Sequence, residues 1–252
     1  MADQTDALHQ VRARSFGARA TDYAEHRPNY PADGIRWALG AASRPVHDVV
    51  DLAAGTGKLT EGLLPLGLTV TAVEPDDGMR AELSRRFPRV HAAAGTAERI
   101  PLPDASVDAV LVGQAFHWFD HVAALTEIGR VLRPGGAVGA LWNAEHKNVE
   151  WVAGLLAVAG TSVTSTRPDG FRLPPHPLFA TFVESVFPHR HRRTIESLAE
   201  TFGTHSRMLV IDPAERETVL NRIRAYLASR PETAGGEFDV PLVTKVVRAT
   251  RT

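Results

Sequence analysis

Two stretches of the sequence hold residue types at spacings that could do chemistry. The first runs from Val49 to Glu74, VVDLAAGTGKLTEGLLPLGLTVTAVE. An acid, Asp51, stands just ahead of a Gly55-Thr56-Gly57 turn, and a second acid, Glu74, follows about 20 residues on. Glycines let a ligand approach the backbone near a helix N-terminus, and a carboxylate at that distance accepts from ribose hydroxyls, so the stretch points to nucleoside binding. The second is Gln114-Ala115-Phe116-His117-Trp118-Phe119-Asp120, in which three aromatics surround one histidine. An imidazole can move a proton near neutral pH, orient a partner through one ring nitrogen, or merely donate to a backbone carbonyl.

The elements that must position these residues are legible in the apolar pattern. Val46 to Ala53 stays apolar on successive residues, as a strand buried on both faces does, and runs into the glycine turn. Leu59, Leu63, Leu64 and Leu66 then fall at helical spacing, Pro65 and Gly67 close the helix, and Leu68 to Val73 opens a second strand with Glu74 at its end. The result is a βαβ unit. Strand three is expected over Val90 to Ala94, strand four over Val107 to Gln114, and strand five over Ala137 to Trp142 after an Arg133-Pro134-Gly135-Gly136 turn. In such a sheet the end of strand four lies beside the first glycine turn, so His117 would face whatever is bound at Gly55 to Gly57.

Glycine spacing discriminates among ligand classes. A Walker A loop is excluded, because Leu52 holds the first glycine position and Leu59 the hydroxyl position. A dinucleotide fingerprint lacks its third glycine, which Thr60 replaces, so a nicotinamide-dependent oxidoreductase is the weaker alternative. His117 and His121 could face together on a helix, but no third ligand is evident and no metal is expected.

At Asp51-Leu52-Ala53-Ala54-Gly55-Thr56-Gly57 the chain resembles the class I S-adenosylmethionine-dependent methyltransferases, with Ala53 where that family usually has its first glycine. The F-G-x-x-A-x-x-Y-x-x-x-R-P-x-Y-P pattern from Phe16 to Pro31, the QAFHWFD string, and L-R-P-G-G followed by A-L-W-N are similar to the trans-aconitate-type branch of small-molecule methyltransferases. The resemblance implies a Rossmann-like, doubly wound, mostly parallel seven-stranded α/β sheet with an antiparallel last strand and a helical lid. It implies S-adenosylmethionine as cofactor, S-adenosylhomocysteine as product, and methyl transfer to an oxygen, nitrogen or carbon nucleophile. Cofactor contacts are then expected from Asp51, Ala53, Gly55, Thr56, Gly57, Glu74, Pro75, Thr96, Ala97 and Gln114, with Tyr23 and Arg27 from a cap over residues 1–42. In the resembled family the position of Thr96 is often an aspartate, which leaves a backbone contact from Ala97. His117 is the candidate base or orienting group, and Trp118, Trp142 and Asn143 are candidate substrate contacts. A relative that binds the cofactor without methylating anything stays open, since fold and cofactor site do not specify chemistry.

Composition bounds the rest. The chain has 252 residues, 44% of them hydrophobic, which suits one cofactor-binding core over residues 43–144 and a lid with the closing strands over residues 145–252 of the same domain. A formal charge of −1 offers no footprint for nucleic acid, and no apolar run is long enough to span a membrane. The absence of cysteine removes disulfides and thiolate chemistry, and Met1 to Gln10 has no apolar h-region, so a cytoplasmic protein with a small-molecule substrate is expected. Beyond Glu145 a helix is expected over Trp151 to Ala159, a proline-rich loop over Arg167 to Pro177, and a strand over Phe182 to Arg193 whose His189, Arg190, His191 and Arg192 form a solvated face. Helices over Ile195 to Phe202 and Pro213 to Ala228 and a strand over Phe238 to Arg248 close the chain, with His205 a candidate for the pocket wall.

Overall fold

The computed structural model describes residues 27–160, 173–204, 208 and 211–252, so Tyr23 and His205 lie outside the described residues. The chain divides into two compact units, one made of Asn29–Asn143, Phe171–Phe187 and Thr244–Thr252, the other of Met1–Pro28, Ala144–Gly170 and Pro188–Val243.

The elements of the first stretch are α1 (Ala32–Leu39), β1 (Asp48–Leu52), α2 (Lys58–Leu63), β2 (Thr69–Val73), α3 (Asp77–Arg86), β3 (His91–Ala93), β4 (Val107–Gly113), α4 (His121–Val131) and β5 (Leu132–Glu145). They are followed by α5 (Glu150–Val158), β6 (Val183–Arg193), α6 (Ile195–Gly203), α7 (Pro213–Ala228) and β7 (Phe238–Thr250). The strands join in the order β3-β2-β1-β4-β5-β7-β6. The pairs from β3 through β5 are parallel, and the last strand runs antiparallel. The order reverses direction between β1 and β4, which is the switch point outside which ligands bind in open α/β sheets.

Strand alternation sorts the core of the first unit into two layers. Val50, Leu52, Val110, Val112, Val138, Ala140 and Trp142 pack on one face against Ala124, Leu125, Ile128 and Val131 of α4. Val49, Ala109, Leu111 and Leu141 pack on the other against Ile35 and Ala38 of α1 and Leu59 and Leu63 of α2. Truncating any one of these fully buried leucines to alanine would cost about 2–5 kcal/mol. Asp51, between Val50 and Leu52, points by the same alternation toward α2.

The second unit has its own apolar cluster, in which Trp151, Val152 and Leu155 of α5 meet Ala199 and Phe202 of α6, Leu220, Ile223 and Leu227 of α7, and Phe238 and Val240. Its helices carry the stops their sequence announces: Thr194 and Ser197 form a capping box, and the Asp212 carboxylate accepts from Ala214 N–H at 2.8 Å ahead of Pro213.

Two expectations change in detail. Strand β5 begins at Leu132 rather than Ala137, because Val107 pairs with Leu132 and Ala109 with Ala137, which makes the Arg133–Gly136 segment a register irregularity inside the strand. In β6 the basic run alternates: Arg190 and Arg192 are exposed and lie 3.6 and 3.5 Å from Asp239, while His189 and His191 are half-buried, and burial lowers the His189 imidazole pKa. No helix among the described residues is long and apolar enough to cross a membrane, and no cluster of three metal-ligating side chains occurs among them.

Candidate cofactor site

Asp51 ends up where α2 begins. Its carboxylate is 1% exposed, and Oδ2 accepts the Thr60 hydroxyl at 2.6 Å. Oδ1 has no hydrogen-bond partner among the described residues. Burial pushes this carboxyl up to about 7, Thr60 opposes the shift through its hydroxyl and backbone N–H, and the neighbouring Glu74 charge adds to it.

Between β1 and α2 the backbone passes through the left-handed region three times, at Ala53 (φ 54°), Gly55 (φ 56°) and Gly57 (φ 86°). For Ala53 this costs on the order of 1–2 kcal/mol, so the turn keeps the conformation for which the resembled family uses glycine even though the residue has changed. The two glycines serve different needs. A Cβ on Gly57 would meet the Phe87 ring at 2.7 Å, whereas one on Gly55 would project into open space. Thr56 Oγ1 is buried without a partner among the described residues. Arg86 fixes the turn from α3, donating to the Thr56 carbonyl and pairing with Glu61 at 2.9 Å.

Glu74 closes the crevice from the end of β2. It is 7% exposed, with Oε2 accepting Gly55 N–H and Oε1 accepting Asp76 N–H, each at 2.9 Å. Burial raises its carboxyl above the usual range while the two backbone donors hold it down. Each carboxylate oxygen keeps a further lone pair for a ligand hydroxyl. Pro75 is exposed, and Asp76 caps α3 by accepting Met79 N–H at 2.8 Å. Thr96 is exposed and pairs with Arg99 through two backbone hydrogen bonds of 3.2 and 3.3 Å, which leaves Ala97 buried beneath them.

At the end of β4, Gln114 adopts φ 58°, donates its N–H to Leu141 O at 2.8 Å and its Nε2 to Asn143 O at 2.9 Å. One 3-10 turn, Phe116–Trp118, then presents the histidine. Phe116 is buried and anchors the turn in the core, while His117, Trp118 and Phe119 are half-exposed. The His117 and Trp118 rings lie 4.8 Å apart, tilted by 40°. Asp120 ends the turn by capping α4 on the Val122 and Ala123 N–H groups. Beyond it Val122, in the first turn of α4, is 66% exposed. Trp142 is only 2% exposed and belongs to the core layer. Asn143 donates to Asn29 O at 3.2 Å and accepts the Thr244 hydroxyl at 2.5 Å.

Of the residues singled out in the sequence, Asp51, Ala53 to Gly57 and Glu74 form one crevice, and Gln114 and Asn143 are joined beside the 3-10 turn. Arg27 lies in the other unit, where its Nη2 donates to the Thr204 carbonyl at 2.9 Å. Two further residues bear on the site. Thr60, which the glycine spacing marks only as a missing glycine, places a hydroxyl on the apolar face of α2. Tyr30 brings its hydroxyl so close to the end of β4 that a Cβ on Gly113 would lie 2.6 Å from it, and nothing in the local pattern announces that approach.

These residues fit the cofactor that the glycine motif implies. Gly55 leaves room a side chain would fill, Asp51 Oδ1 and Thr56 Oγ1 are buried without partners among the described residues, and the Glu74 carboxylate borders the turn from the end of β2.

Comparison with known proteins agrees. A family profile described as a methyltransferase domain matches residues 50–139. An uncharacterized methyltransferase of Mycobacterium tuberculosis is 40% identical over 237 residues, covering 94% of this chain and 95% of that one. The demethylmenaquinone methyltransferase of Beutenbergia cavernae is 44% identical over 100 residues, 39% of this chain and 41% of its own. A solved structure of a proposed type II methyltransferase from Anaeromyxobacter dehalogenans superposes with a TM-score of 0.64 at 25% identity, over 89% of this chain and 97% of that one. With its glycine turn, its paired acids and a full-length relative of this similarity, the chain belongs to the class I S-adenosylmethionine-dependent methyltransferases.

Proposed function

We propose that the protein moves the methyl group of S-adenosylmethionine to an oxygen, nitrogen or carbon nucleophile of a small organic molecule by in-line displacement, releasing S-adenosylhomocysteine. The observation that carries this is the crevice at Gly55, flanked by Asp51 and Glu74, with His117 and Trp118 on the next strand end. The bound cofactor supplies a methyl group made electrophilic by its sulfonium, so the protein's task is geometry and exclusion of water. Positioning of this kind can supply about 7–11 kcal/mol of barrier reduction.

Asp51, Ala53, Gly55, Thr56, Gly57, Glu74, Pro75, Thr96, Ala97 and Gln114 hold the cofactor. The half-exposed ledge of His117, Trp118 and Phe119 suits an acceptor with an apolar or aromatic face. The name of the Beutenbergia cavernae relative, a demethylmenaquinone methyltransferase, is consistent with an organic acceptor. For a carboxylate nucleophile, already ionised at neutral pH, His117 orients it; for a hydroxyl or amine, His117 takes the proton.

The test is transfer of labelled methyl from S-adenosylmethionine to a panel of small acceptors, beside calorimetric binding of the cofactor. His117→Ala should lower turnover by about 10²–10⁴ while cofactor affinity stays near wild type. A folded His117→Ala protein of full activity would demote the residue to structure, and a protein that binds no S-adenosylmethionine would sink the cofactor assignment.

A further inference from the structure

We infer that Thr60 is a positioning residue for the cofactor site: by donating to Oδ2 of Asp51 it favours the ionised form of that buried carboxyl, leaves Oδ1 available to the positively charged cofactor, and so sets the pH below which cofactor binding weakens. This rests on the assignment of Asp51 to the cofactor site.

The hydroxyl of Thr60 is used unlike those of the other helical threonines among the described residues. Thr126, Thr201 and Thr218 each return their hydroxyl to the carbonyl four residues back, at 2.8 Å, the usual local bond of a threonine inside a helix. Thr60 instead reaches across to β1 and meets Asp51 at 2.6 Å. It is fully buried on the face of α2 that also carries Leu59 and Leu63, where valine would fill the same volume. What the hydroxyl adds over valine is one donor, aimed at a carboxylate whose other oxygen has no partner among the described residues.

The surroundings of Asp51 leave the hydroxyl a large share in its ionisation. From α2 come the Thr60 hydroxyl and backbone N–H, and from β2 the Glu74 carboxylate, which favours the protonated form. The register neighbours Ala72 on β2 and Leu111 on β4 bring no charge, and the Arg86 guanidinium of α3 is engaged by Thr56 O and Glu61. Without cofactor the Asp51 carboxyl stands at about 7, so below that pH a cation can use it only after a proton leaves. Affinity should then fall by about tenfold per pH unit on the acid side and level off on the alkaline side.

The experiment is calorimetric binding of S-adenosylmethionine between pH 5.5 and 8.5 in buffers of different ionisation enthalpy, for wild type, Thr60→Val and Thr60→Ser. Wild type should break near pH 7 and release a proton on binding at pH 6. With one donor to the carboxylate gone, Thr60→Val should break about one unit higher, binding about fivefold more weakly at pH 7 and nearly equally at pH 8.5, while Thr60→Ser follows wild type. A Thr60→Val profile that coincides with wild type, or lies below it by the same factor at every pH, overturns the inference. Should Thr60→Val not fold, the wild-type data decide, since a flat profile without proton release overturns it alone. Absence of binding at every pH overturns the cofactor assignment and the inference with it.

Discussion

Gly55 donates its backbone N–H to Oε2 of Glu74 at 2.9 Å, which ties the turn after β1 to the end of β2. Glu74 therefore shapes the cofactor turn as well as facing it. Glu74→Ala should lose both backbone bonds, each about 1.5–3 kcal/mol for a charged acceptor, and weaken cofactor binding and chemical stability together. Glu74→Gln keeps one acceptor oxygen and should lose roughly half as much. Calorimetry beside urea denaturation reads both quantities, and an unchanged cofactor Kd in Glu74→Ala would take Glu74 out of the site.

Gly55 and Gly57 share a left-handed backbone but not a neighbourhood, so the same substitution should divide their roles. Gly57→Ala drives a methyl into the Phe87 ring and should cost stability, about 2–4 kcal/mol with the backbone strain included. Gly55→Ala should cost only the strain, about 1–2 kcal/mol, and its larger effect should be on cofactor affinity, because its methyl enters open space. Equal losses of affinity and stability at both positions would contradict this division.

Asp51 is held against its own ionisation. A carboxyl raised from 3.8 to about 7 on folding takes up a proton that the unfolded chain has released, so the stability of the cofactor-free protein falls as pH rises from about 4 to about 7 and is level above that. The full cost is roughly 4 kcal/mol as an upper bound. Asp51→Asn should therefore make the cofactor-free protein more stable than wild type at pH 8 by up to that amount, with the difference closing near pH 4, while cofactor affinity drops. Thermal unfolding of both proteins across this range checks it, and a parallel pair of curves would refute it.

Asp108 shows the opposite arrangement at the other end of β4. Burial alone would raise its carboxyl, but the N–H groups of Asp48 and His47, at 3.1 and 3.0 Å, and Arg133 at 2.9 Å outweigh it and hold it below the usual range. Its contribution is present above the ordinary aspartate pKa and lost as pH falls through the lowered one. Asp108→Ala leaves two backbone donors without their acceptor and Arg133 with Asp48 alone, and should cost about 1–3 kcal/mol, with cofactor affinity unchanged in the folded fraction.

Much of this architecture is written in local patterns. The apolar run ending at Asp51, the glycine turn and Glu74 define the crevice within one βαβ unit, and Asp212-Pro213 marks the start of α7 to the residue. Long-range relations were not legible. That Thr60 reaches Asp51 depends on which face of α2 the helix turns inward. That Trp142 sinks into the core while Asn143 bridges Asn29 and Thr244 depends on the layers stacked on β5. The irregular entry to β5 was hidden because Pro134 and two glycines read as a stop, when Gly135 and Gly136 permit a bulge within the strand.

Gly113 and Tyr30 occupy a single volume between them, since the phenol hydroxyl lies where a Cβ on the strand would otherwise be. Across related sequences these two positions are therefore expected to change as a pair. A side chain larger than hydrogen at 113 should be found only where position 30 has given up its ring, and a lone exchange at either position should be rare even though the two are far apart in the chain.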